Sequence, residues 1–101
     1  GVYLPYAITL FSVNPDSPAY FHIAQPGFEG PEQMEAYVSW LRARSSLAFP
    51  TQVGPRDQLL TLVTCHGLDG DGRLALALRR LRPGEDLAAL ERELKTGIRA
   101  N

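Results

Sequence analysis

The run Gln58-Leu59-Leu60-Thr61-Leu62-Val63-Thr64-Cys65 constrains the fold of this chain more than any other segment. It is almost continuously apolar and β-branched, too short for a buried helix, and reads as a strand buried on both faces. Gly67-Leu68-Asp69-Gly70-Asp71-Gly72 follows and has the composition of a turn. Arg73 to Leu81 then alternates Leu74, Leu76 and Leu78 against Ala75, Ala77 and Arg79, the pattern of a returning strand. The expected unit is a hairpin that presents Cys65 and Arg73 from its two arms, on either side of the turn.

Upstream, Tyr6 to Val13 is rich in β-branched and aromatic residues and stops at Asn14-Pro15-Asp16-Ser17-Pro18, so a strand closed by a turn is expected. Tyr20 to Ala24 is a candidate second, short strand. Gly30-Pro31-Glu32 opens a helix predicted to run to about Ser46, with proline at a first helical position and acidic residues at the positive end of the dipole. Met34, Val38, Leu41 and Ser45 share one face of it, with Tyr37 and Trp40 alongside, a stripe suited to packing on a sheet. Pro83-Gly84-Glu85-Asp86 introduces an additional C-terminal helix over residues 84–98, whose Leu87, Leu90, Leu94 and Ile98 fall on one face.

The 101 residues are expected to form a single domain, and 45% apolar content with a net charge of −1 excludes both a disordered chain and a coat for nucleic acid. No apolar stretch reaches the roughly 20 residues that span a bilayer. A single cysteine excludes an internal disulfide framework and a cysteine-rich zinc site, and no cofactor is expected. Asp69-Gly70-Asp71-Gly72 has the look of a calcium loop, but the sixth position from Asp69 is Leu74 and the twelfth is Arg80, so a tight turn is the better reading. Arg79, Arg80 and Arg82 are expected to form a solvated basic face. His22, on an apolar segment, reads as a structural histidine rather than a metal ligand.

Cys65 is the residue with chemical potential. A thiol is nucleophilic as its thiolate, and a guanidinium nearby favours that form. An arginine eight positions on, across a turn, could also steady the oxyanion of a tetrahedral intermediate. The alternative is a buried, inert thiol, a common state of a lone cysteine in an apolar strand.

Thr61-Leu62-Val63-Thr64-Cys65 followed by Arg73 resembles the sortase signature, and the short interval between cysteine and arginine is similar to that of class B sortases. Tyr6-Ala7-Ile8 and Phe11-Ser12-Val13 are similar to the strand before the class B helix, and Glu35 to Ser45 is similar to that helix with its terminal basic-serine motif. The resemblance spans most of residues 3–82. It implies a partial sortase-like β-barrel, supplying C-terminal strands, one intervening helix and the added terminal helix. It also implies a Gram-positive cell-surface transpeptidase, with Cys65 attacking a threonyl carbonyl of a sorting-signal peptide and Arg73 orienting that peptide. Thr64 would line the site, and a cell-wall or pilin amine would resolve the thioester.

The family's histidine lies further upstream of the cysteine than the 64 residues that precede Cys65, so an N-terminally truncated domain is expected. His66 adjoins Cys65 and would point to the opposite face of the strand. Transpeptidation by this chain alone is therefore expected to be weak or absent. Half a barrel has open strand edges, from which a homodimer or larger assembly is expected. Two other classes stay open, a non-catalytic peptide-binding or assembly module and an unrelated small α/β domain.

Overall fold

The computed structural model describes residues 1–21, 30–65 and 70–101. They form a mixed α/β domain of two helices and five strands in antiparallel sheets. Strands β1 (Tyr3–Ser12), β3 (Leu59–Cys65) and β4 (Gly72–Arg80) make one sheet in the order β1-β4-β3, while β2 (Leu47–Ala48) and β5 (Arg99–Ala100) make a small ribbon. Helix α1 (Pro31–Ala43) joins β1 to β2, and α2 (Leu87–Gly97) follows β4. Among the described residues the strands close no barrel. The helices and the hairpin arms fall where the sequence predicts them. His22 to Ala24 of the candidate short strand, both histidines and the Gly67–Asp69 part of the turn lie outside the described residues.

The returning strand, β4, is the central one. Its Ala75, Ala77 and Arg79 are buried beneath α1 and the 49–57 segment, and its register to β1 and β3 gives every row of the sheet. On β1 the pairing shifts between Pro5 and Ala7, a bulge that lets consecutive Tyr6 and Ala7 both be buried. Tyr6, Ala7 and Ala77 then pack against Tyr37, Val38 and Leu41 of α1. The helix starts at Gly30 with Pro31 in its first turn and ends against β1, where Thr9 Oγ1 donates to the Leu41 carbonyl at 2.7 Å and the Ile8 N–H donates to Ser45 Oγ at 2.9 Å.

Strand β3 departs from the expectation of burial on both faces. It is an edge strand, with Leu60, Leu62 and Val63 exposed at 39%, 53% and 44%. Its apolar run has the composition of a central strand, but only β4 among the described strands pairs with it.

The basic cluster also differs from expectation. Arg79 is 1% exposed, and its guanidinium forms a two-point ion pair with Glu85 at 2.6 and 2.9 Å while Nε donates to the Gln52 carbonyl at 2.7 Å. Arg82 pairs in the same two-point fashion with Asp57, at 2.7 Å on each side. The turn Arg82-Pro83-Gly84-Glu85 makes this possible: proline precedes Gly84 at φ 84°, a left-handed conformation that favours glycine, and the Glu85 N–H returns to the Arg82 carbonyl at 3.2 Å. Asp86 then caps α2 by accepting from the Ala88 and Ala89 N–H groups.

Removing Glu85 leaves a buried guanidinium without its counter-charge, which typically costs ~3 kcal/mol or more. Glu85→Ala is therefore expected to lower the urea midpoint far more than Glu91→Ala on exposed α2, a difference that equilibrium unfolding measures directly. The Arg79 guanidinium holds the Glu85 carboxyl below its usual range, and Arg82 does the same to Asp57. Folded-state values below the unfolded ones mean that this stabilisation is fully present above about pH 5 and is lost as pH falls through the folded values, below about pH 4. Unfolding curves across pH 2–7 are expected to show that acid loss, and Asp57→Asn with Glu85→Gln to flatten it.

Candidate functional site

Cys65 and Arg73 are direct cross-strand partners at the last described rung of the β3–β4 hairpin. Opposed residues of an antiparallel pair project to the same face, with Cβ atoms about 5 Å apart. Arg73 is paired on its other side with Phe11 of β1, so one row of the sheet reads Phe11, Arg73, Cys65. The next two rows on this face are Thr9, Ala75, Val63 and Ala7, Ala77, Thr61. Helix α1 covers this face, and its Tyr37 hydroxyl meets Thr61 Oγ1 at 2.9 Å. Beyond that contact Val63 and Cys65 are both exposed, forming a shelf at the edge of the sheet.

Aromatic side chains wall this end of the domain. Phe21 meets Phe11 edge-on at 6.4 Å, leans on Tyr37 at 5.3 Å and stacks on Trp40 at 4.1 Å. The Arg44 guanidinium lies 4.3 Å from the centre of the same indole. The backbone fixes Phe21 in place, because its N–H donates to the Ser12 carbonyl at 3.1 Å. Burial raises the Tyr37 phenol above its ordinary range, with the Thr61 hydrogen bond opposing the shift, so the phenol is neutral at physiological pH.

Three placements bear on the chemistry. The thiol of Cys65 is exposed rather than buried, which removes the reading of an inert core cysteine. Arg73 Nη1 donates to the carbonyls of Gly70 and Gly72 at 2.7 and 2.9 Å, so the guanidinium is drawn along its own turn. Thr64 pairs with Leu74 and by strand alternation occupies the face opposite Cys65; its hydroxyl lies 3.5 Å from the Cys65 carbonyl. Sequence reasoning identified Cys65 and Arg73 but missed Phe11 in their row and Tyr37 two rows away on the same face, since their positions depend on the register across β4 and on the seating of α1.

A separate groove of about 600 Å³ runs between α1 and residues 50–55, lined by Met34, Val38, Arg42 and Val53 among others. Arg42 is committed there to structure, donating to the Thr51 and Phe49 carbonyls at 2.8 Å each. Among the described residues, no group of three or more histidines, cysteines, aspartates or glutamates is placed to hold a metal ion. Among them, no helix is long and apolar enough to cross a membrane. Compared with protein-family models, curated proteins and solved structures, the chain gives no match.

An exposed thiol reacts in the native state. One equivalent of a disulfide reagent is expected to be consumed at Cys65 in the folded protein on the same timescale as in urea; protection by ten-fold or more would contradict its placement on the shelf.

Proposed function

We propose that the Cys65–Arg73 rung is the nucleophile-and-arginine half of a class B sortase-like transpeptidase site. The observation that carries this reading is the register: the only cysteine of the chain, exposed, sits directly across from Arg73 on a shared face. In the proposed reaction the Cys65 thiolate adds to a threonyl carbonyl of an extended sorting peptide lying along the Val63–Cys65 shelf. The carbon–nitrogen bond breaks, a thioester forms and the leaving amine takes up a proton. A cell-wall or pilin amine then attacks the thioester and returns the thiol. Arg73 serves the peptide or the oxyanion by turning from the Gly70 and Gly72 carbonyls toward Cys65, and the proposed setting is the outer surface of a Gram-positive cell. The general acid for the leaving amine has no candidate among the described residues of this rung, so turnover by this chain alone is slow.

A second reading, a peptide-binding or assembly module without chemistry, is favoured by one observation: the Arg73 guanidinium is occupied by its own turn. Intact-mass spectrometry after incubation with a thiol-reactive sorting-peptide analogue separates the two. Transpeptidase ancestry predicts one adduct on Cys65, abolished in Cys65→Ala and slowed at least ~ten-fold in Arg73→Ala, as for the loss of an oxyanion or orienting group. Peptide binding that survives Cys65→Ala, with no adduct faster than on an unrelated peptide, selects the binding module.

A further inference from the structure

The groove between α1 and residues 50–55 has a volume of about 600 Å³, inside the roughly 300–1,000 Å³ of sites that take small organic molecules. Met34, Val38, Val53, Pro31, Pro50 and Pro55 give it an apolar lining. The segment that forms its second wall is held from two sides. Arg42 donates to the Phe49 and Thr51 carbonyls, and Arg79 Nε donates to that of Gln52. Asp57 accepts from the Gly54 N–H at 2.7 Å while it pairs with Arg82. A wall braced in this way is already in place for a guest, which then has no loop to order.

Arg42 also brings a cation into this lining. Arg79 and Arg82 each meet a carboxylate, whereas the contacts of Arg42 among the described residues are two neutral carbonyls and the Tyr6 ring at 6.0 Å. The two carbonyls use two of the five guanidinium N–H donors and leave three for a guest. Burial outweighs the charges around this group and holds it below its ordinary pKa, although it stays protonated. Among the described lining residues the other charge is Glu35, seven positions earlier and so about 10 Å along the helix axis, with Ser39 between the two.

We propose that this groove binds a small organic monocarboxylate, its carboxylate on Arg42 and its apolar chain along Met34, Val38 and Val53. Such a guest supplies to Arg42 the charged acceptor that Arg79 and Arg82 already have within the chain. A bare inorganic anion leaves the apolar lining unused, and Glu35 disfavours a second negative charge on the guest. None of the described lining residues belongs to the Cys65 rows of the sheet, so the site does not rest on the sortase-like reading.

Octanoate is the probe, with octanol, acetate and inorganic phosphate beside it. Titration of the whole chain, followed in methyl and amide spectra, is expected to shift Met34, Val38 and Val53 with an octanoate dissociation constant of roughly 0.1–1 mM. Octanol lacks the charge and acetate the chain, so each is expected to bind at least ~ten-fold more weakly. Ser39→Asp, at an exposed position of the lining, keeps Arg42 and its wall contacts but sets an internal carboxylate one turn from the guanidinium. It is expected to weaken octanoate at least ~ten-fold, and Ala36→Asp, equally exposed on α1 but outside the lining, less than ~three-fold. The absence of a saturable shift at the three residues up to about 10 mM octanoate overturns the proposal. So does octanol binding as tightly as octanoate, which marks a merely apolar groove, and so does phosphate or acetate matching it, which marks an unselective anion contact. Equal effects of Ser39→Asp and Ala36→Asp overturn it as well, because the carboxylate is then not on Arg42.

Discussion

The buried guanidinium of Arg79 is the constraint around which the domain closes. A charge at 1% exposure in the central strand is tolerable only with its donors satisfied, and the chain supplies a carboxylate from the β4–α2 turn, a carbonyl from Gln52 and one from Arg80. Those partners come from separate stretches of sequence. Satisfying one side chain therefore docks the 49–57 segment and the turn before α2 onto the end of the sheet, and the neighbouring Arg82–Asp57 pair reinforces the same junction from its exposed side. Along the same face of β4 the next inward positions are Ala77 and Ala75, whose small side chains let α1 approach the sheet closely.

The sheet thus has two unlike ends. At one, polar groups are locked in a buried network and the backbone is fixed by a proline–glycine turn. At the other, the hairpin carries an exposed thiol and an arginine turned onto the Gly70 and Gly72 carbonyls, beside a wall of aromatic rings. Phe21 anchors the second of these ends, held by the β1 backbone and by three rings at once.

Much of this was legible in the sequence, and its failures have identifiable causes. The helices could be read because Pro31 and Asp86 mark their starts and their apolar stripes recur at helical spacing. The hairpin could be read because glycines and aspartates separate two β-patterned runs, and with it the opposition of Cys65 and Arg73. The exposure of β3 could not, since composition reports the tendency to form a strand and not how many neighbours the strand acquires. Arg79 sits among other arginines, and only its register beneath the 49–57 segment distinguishes it from Arg80, which is exposed. The β2–β5 ribbon is two residues per strand, too short to carry any periodicity; it is specified by distant partners such as the Asn101 side chain, which donates to the Ser45 carbonyl at 2.8 Å.

The bulge in β1 has a wider meaning than its local geometry. Before it, even-numbered positions face the helix, and after it odd-numbered positions do, so the strand reads in two frames joined at Tyr6 and Ala7. Each half alternates as far as Phe11, after which Ser12 at the strand end is buried as well, while the whole does not alternate. The two segments can therefore be tuned separately: Leu4 answers to Arg79 across the sheet and Tyr6 to the middle of α1, Thr9 and Phe11 to the helix terminus and the aromatic wall. One surplus residue thus lets a single strand serve two neighbourhoods whose packing demands differ in phase.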